Sequence, residues 1–174
     1  MTGLALLFRD QRAAAAAEMA LVFPLLLIIG MGGVEVGNYF LDEHRLVKAV
    51  RDGARYAARQ DFSNYAGCGS TAADVPTALR DNVKAIVRTG LLSNGTDLVA
   101  NWNNATFTVQ MTCTSTVGTQ TLGGIYTSTS GGQPPAVVIV TATVPYAPIA
   151  ISGYGFNARG YNLYAQQQAA VMGV

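Results

Sequence analysis

Charge is scarce in this chain: Asp, Glu, Lys and Arg make up 12% of 174 residues, about half the usual share. The formal net charge is +1, so no basic field argues for nucleic acid and no acidic tail for a cationic partner. Histidine is nearly missing as well. His44 stands alone between Glu43 and Arg45, where it reads as a solvated helix-face residue. A serine or cysteine nucleophile would need a base within reach, and the chain offers only that imidazole. No catalytic residue is expected. Cys68 and Cys113 are the only cysteines and have no histidine near them, a poor basis for a metal site. Gly123-Gly124, Gly131-Gly132 and Gly153-Tyr154-Gly155 make no phosphate-binding motif joining a strand to a helix, so no cofactor is expected.

What is present is concentrated at the start. Residues 19–34 (MALVFPLLLIIGMGGV) carry no charge, and the alanines Ala13 to Ala17 precede them. Only Glu18 interrupts this stretch, which as a helix would span a hydrocarbon core of about 30 Å. Arg9 and Arg12 before it favour a cytoplasmic N-terminus. Arg45, Lys48, Arg51, Arg55 and Arg59 on the other side dilute that signal. A cleaved secretory signal is a poorer reading, because the apolar run is long and no small-x-small cleavage site follows.

The helical pattern continues past the apolar run. Val36, Tyr39, Phe40, Leu46, Val47, Val50, Ala54 and Ala57 recur at helical spacing, without proline, to Arg59. One helix from about Arg12 to Arg59 would be roughly 70 Å long. This divides the chain into a cytoplasmic leader at 1–12, a transmembrane helix at 13–37, its amphipathic continuation at 38–60 and an extracytoplasmic α+β domain at 61–174. Pro24 lacks an amide hydrogen, and a local kink or unwinding is expected there. Glu18 has two readings: an acid among headgroups at the cytoplasmic end, or an acid meeting a cation on a partner. Gly33 and Gly37 form a GxxxG pair, with Gly30 and Gly32 adding small surface for a helix contact.

The remainder reads as strands, turns and one more helix. Asp61 to Thr71 is turn-rich, and Asp74 before Val75-Pro76 is a plausible helix start. Val75, Leu79, Val83, Ile86, Val87 and Leu91 give one apolar stripe, ended by Gly90 and Asn94-Gly95. Phe107, Val109, Met111 and Cys113 alternate with polar residues as a half-buried strand. A Gly/Ser/Thr-rich loop follows at 127–135, then the strongest strand at 137–144, stopped by Pro145 and Pro148. Residues 163–172 alternate as a last strand, although Ala and Gln there also suit a helix. An antiparallel sheet of three or four strands packed on the long helix is the expected fold, α+β. In an oxidising compartment Cys68 and Cys113 could bridge the loop after the long helix to the first strand; two unpaired thiols are the alternative. Trp102, Tyr154, Phe156, Tyr161 and Tyr164 could form an adhesive or subunit surface, or simply core.

The segment Ala15-Ala16-Ala17-Glu18-Met19-Ala20-Leu21-Val22-Phe23-Pro24-Leu25-Leu26-Leu27 resembles the start of TadE-like proteins, pseudopilins of the tight-adherence (Tad) pilus. Glu35-Val36-Gly37 matches the family's later Glu-x-Gly. Ala49-Val50-Arg51-Asp52-Gly53-Ala54-Arg55-Tyr56-Ala57-Ala58 is similar to its Ala-Arg-Glu-Gly-Ala-Arg ending of the long helix. Residues 138–146 resemble its alternating strand that ends in an aromatic. The resemblance implies a minor pilin-like subunit of the inner membrane, pilin-like in fold and non-enzymatic. Its partners would be other pilin or pseudopilin subunits, the pilus assembly platform and a prepilin peptidase. It implies cleavage between Ala13 and Ala14, where pilins usually have Gly in place of Ala13. Glu18 then becomes the acid that pairs with a neighbouring subunit's N-terminal amine, since carboxylate and ammonium attract strongly in a low-dielectric layer. Gly33, Glu35, Gly37 and Gly53 become helix-packing positions. A membrane-anchored periplasmic binding or scaffold protein unrelated to a pilus is the alternative reading.

Overall fold

A computed structural model describes residues 11–68, 71–113, 136–149 and 160–173, with backbone alone at 11–13. Residues 1–10 of the leader expected at 1–12, the loop at 127–135, and Tyr154 and Phe156 lie outside the described residues. The chain forms two compact units. One comprises Met1–Asn38 with Pro148–Asn157, and the other Tyr39–Ala147 with Ala158–Val174.

Helix α1 runs Gln11–Ala58, 48 residues with Pro24 inside it. Runs of Ala and Leu favour helix, and Arg55 in the last turn suits the negative end of the dipole. Of the kink or unwinding expected at Pro24, no unwinding occurs. Helical backbone continues on both sides, because the loss of one rung breaks only one link in a long ladder.

In the larger unit, α1 contributes Leu46, Ala49, Val50, Ala54 and Ala57 to the buried core. After α1, a 3-10 turn at Phe62–Tyr65 is capped by Asp61, whose carboxylate accepts from the Ser63 amide at 2.7 Å. Hydrogen bonding from the Ser63 side chain, and then from its amide, holds the Asp61 carboxyl below its ordinary value. Strand β1 is only Ala73–Asp74. Asp74 is therefore not the helix cap its sequence suggests; it pairs with Gln110, and the next amide, of Val75, donates to the Val109 carbonyl. Sheet pairing has won over capping at this position. Helix α2 begins later, at Thr77, and runs Thr77–Thr89 with Pro76 before it. Leu79, Val83 and Val87 form its buried stripe. Gly90 closes it in the left-handed region at φ 78°, its amide on the Ile86 carbonyl, a conformation glycine adopts without penalty. That turn takes Leu91 off the stripe, and it lies exposed rather than buried as its spacing suggests.

Strands β2 (Thr106–Cys113), β3 (Ala136–Pro145) and β4 (Asn162–Ala170) follow. The order is β1-β2-β3-β4, all neighbours antiparallel. Val109, Val140 and Gln167 lie in register across the sheet, as do Phe107, Ala142 and Ala165. Buried and half-buried residues alternate strictly along β3, as period-two side chains on a one-sided core require. The segment at 163–172 is thus strand in its larger part; register against β3 outweighs the helix propensity of its Ala and Gln.

Helix α1 also meets the outer side of β4, the last strand in the order. The Tyr39 hydroxyl donates to the Asn162 carbonyl at 3.3 Å, and the Glu43 carboxylate accepts from the Tyr164 amide at 3.3 Å. Farther along, the Met172 amide donates to the Ala58 carbonyl at 2.8 Å. An edge strand leaves its outward amides and carbonyls unpaired, and the helix supplies partners at both ends of this one. Cys68 and Cys113 are joined as a disulfide with their Cα atoms 5.6 Å apart, across 45 positions of sequence. In the chain-entropy description such a loop closure stabilises by about 4 kcal/mol.

Candidate functional site

The residues singled out by sequence fall on α1, and the helix treats them in two ways. In its first part the apolar side chains point outward: Leu21 is 75% and Ile28 70% exposed, and Phe23, Leu25, Leu26 and Val34 are exposed too. A helix this apolar and this uncovered needs a non-aqueous surrounding. Among the described residues it is the one helix long and apolar enough to cross a membrane.

On this surface Gly30, Gly32, Gly33 and Gly37 have nothing within 4 Å of where a side chain would begin. At 3.6 residues per turn Gly33 and Gly37 share a face with Gly30, and each lies roughly 160° around the helix from Glu35. Bare glycines let another helix approach closely. Ala14 and Glu18 are exposed in the first turns, and Ala13 is helical in backbone. Among the described residues no ion pair or hydrogen bond engages Glu18. Ala14, on one side of the candidate cleavage bond, and the candidate pairing acid Glu18 are thus on one exposed helical stretch.

Glu35 behaves differently. It is buried, 9% exposed, and its carboxylate accepts a hydrogen bond from the Ile149 amide at 3.3 Å. Both residues belong to the smaller unit. Sequence reasoning grouped Glu35 with the glycines as a helix-packing position; the structure gives it a partner within its own chain. Nothing in the local sequence links positions 35 and 149, so pattern alone had no way to find this contact.

Gly53 is also separated from the other glycines. A side chain there would run into Val87 Cγ2 and press on Val83 Cγ1 at 3.3 Å. Gly53 is therefore the place where α2 crosses α1 at short range. Two residues of the larger unit's α1 segment carry further polar contacts: buried Asp42 pairs with Arg45 at 2.9 Å, and the Ala57 carbonyl accepts from the Tyr65 hydroxyl at 2.5 Å. Burial pushes the Tyr65 phenol up from its ordinary value.

The aromatic residues divide as well. Trp102 is buried and packs 6.2 Å from Phe107. Tyr39 stacks edge-on against Tyr146 at 5.2 Å and Phe40 at 6.0 Å. Tyr161 and Tyr164 are exposed. His44 is exposed on α1. Among the described residues no three His, Cys, Asp or Glu side chains gather as metal ligands. The arrangement can bury, pack and anchor.

Residues 13–55, a quarter of the chain's 174 residues, match the family model of TadE-like proteins. The match takes in Glu18, Pro24, Glu35, Gly37 and Gly53, the positions on which the sequence resemblance rests. No curated protein and no solved structure matches the chain.

Proposed function

We propose, from its TadE-like helix, that this chain is a minor pilin-like subunit that supports assembly of a tight-adherence pilus at the inner membrane. It is anchored by one span with its N-terminus in the cytoplasm, and its folded domain lies in the periplasm. It acts by packing against other subunits and not by catalysis. The observation that carries the reading is the helix surface itself: an apolar face with bare glycines and an acid that is exposed and unengaged among the described residues, inside the segment that matches the family.

The physical logic is that of partner pairing in a poorly polar layer. Glu18 alone near acyl chains bears a desolvation cost, which a cation from a second polypeptide relieves. In this reading that cation is the N-terminal amine of a neighbouring subunit freed by cleavage between Ala13 and Ala14. Gly33 and Gly37 allow the neighbour's helix to approach.

Piliation is the readout that tests it. Glu18→Ala, Gly33→Leu and Gly37→Leu should each abolish or strongly reduce surface pili while the protein still fractionates with the membrane. Normal pili in all these variants would overturn the mechanism. Mass spectrometry of the mature N-terminus tests processing separately: a start at Ala14 is expected, and an intact Met1 or Thr2 would remove the peptidase from the scheme.

A further inference from the structure

Backbone groups alternate along an antiparallel strand, one residue turned to the strand beside it and the next turned away. In and around β4 the odd residues face β3: the Tyr161 carbonyl accepts from the Tyr146 amide, and the Val171 amide donates to the Ala136 carbonyl. The even residues face out. Helix α1 meets them at the two ends, at Asn162 and Tyr164 and again at Met172. Between these contacts lie the outward amides and carbonyls of Gln166, Gln168 and Ala170, which no hydrogen bond engages among the described residues. All three residues are exposed. The open edge from Tyr164 to Ala170 is about 20 Å long.

Sheet edges are usually blunted by brevity, charge, proline or a bulge. The opposite edge of this sheet is blunted: β1 has two residues, Ala73–Asp74, one of them charged, with Pro76 close behind. Strand β4 has none of these devices. Residues 162–170 (NLYAQQQAA) hold no charge and no proline, and they keep unbroken register with β3.

We propose that residues 164–170 of β4 are a docking edge for an extended, uncharged segment of a different polypeptide, which extends the sheet by one strand. Main-chain hydrogen bonds supply the hold. An uncharged segment fits because β4 offers no charge for a charged one to meet. A second copy of the chain does not fit. Residues 39, 43 and 58 contact 162, 164 and 172 in that order, so this part of α1 runs in the same sense as β4. Two copies joined antiparallel through β4 would run these helix segments in opposite senses, whereas copies inserted the same way in one membrane share one sense. A parallel two-fold pairing sets each even residue against its own copy, amide facing amide, and no ladder forms. The inference rests on the pilus-subunit reading, since it takes the partner to be another subunit of that assembly.

Hydrogen exchange of single backbone amides, read by fragmentation mass spectrometry, tests the edge directly. The full chain is compared purified in detergent and in membranes of piliated cells. The amides of Gln166, Gln168 and Ala170 should exchange freely in the purified chain and slow at least about tenfold in the membranes. Equal exchange at these positions in the two samples overturns the docking. Slowing that grows with concentration in the purified chain assigns the edge to a second copy and overturns the choice of partner. Gln168→Pro gives a second arm, because it removes one outward amide hydrogen and leaves the ladder to β3 whole. It should reduce surface pili as strongly as Glu18→Ala, while denaturant unfolding followed at Trp102 stays near that of the parent. Pili lost with Glu18→Ala but normal with Gln168→Pro overturn the docking edge and leave the subunit reading standing. Normal pili in both overturn the reading and the inference together. Should the proline unfold the domain, exchange in the parent chain decides.

Discussion

Gly53 and Gly37 lie on one helix, sixteen residues apart, and their surroundings are opposite. At Gly53 the side chains of Val83 and Val87 occupy the space a Cβ would need, whereas at Gly37 there is nothing within 4 Å. The same contrast runs through the helix. Leu46 and Val50 are fully buried, while Leu26 and Ile28 are mostly exposed. One stretch packs into the chain's core, while the other, Glu35 apart, is mostly uncovered among the described residues. A glycine that is crowded serves the fold, and a glycine that is bare is available to something else. Composition alone does not separate them, since both stretches are helical and rich in small residues.

The comparison breaks most sharply at leucines. Leu46→Ala should cost about 2–5 kcal/mol of domain stability, the range for a large-to-small change in a packed core. Leu26→Ala should leave domain unfolding unchanged within about 0.5 kcal/mol. Denaturant titration of the detergent-solubilised chain, monitored at Trp102, measures both. Equal losses would mean that the two stretches are packed alike.

Glycines sharpen it further. Gly53→Ala should destabilise by about 1–3 kcal/mol, because overpacking against two buried valines exceeds the roughly 1 kcal/mol that alanine gains in helix propensity. Gly37→Ala in the isolated chain should be neutral or slightly stabilising. Chemical denaturation of the two variants side by side decides the matter, and a stabilised Gly53→Ala would show that α2 yields at this crossing.

The smallest effect expected is at Tyr65, which ties the turn after α1 to the Ala57 carbonyl. Tyr65→Phe should cost about 1 kcal/mol. Because the folded phenol titrates above its unfolded value of about 10, the unfolded chain loses that proton first as pH rises. Tyr65's share of stability is therefore complete below about pH 10 and declines above it. Stability measured from pH 8 to 11 should fall less steeply in Tyr65→Phe than in the parent. Identical alkaline slopes would mean that the phenol ionises as freely in the folded state as in the unfolded one.

Much of the architecture was legible because it is periodic. The 3.6-residue pattern to Ala57 announces one long helix, alternation around Val138 and Val140 announces a central strand, and Gly90 marks the end of α2. Asp74 misled because a good capping residue and a good strand-edge residue look alike in sequence; the choice was made by Gln110, thirty-six positions away. Leu91 misled because spacing continues past Gly90 although the backbone turns there.

By itself, then, the sequence determined that an apolar stretch interrupted by one acid, Glu18, and long enough to span a membrane leads into an amphipathic helix, and that alternating strands follow. These properties depend on neighbours within a few residues, where helix and strand geometry is fixed. Tertiary structure alone decided which glycine is crowded, that Glu35 meets the Ile149 amide, and that Tyr39 and Glu43 reach the edge of β4. Each of those depends on groups thirty or more positions apart being brought within hydrogen-bond or van der Waals range, and such distances are set by packing, not by local pattern.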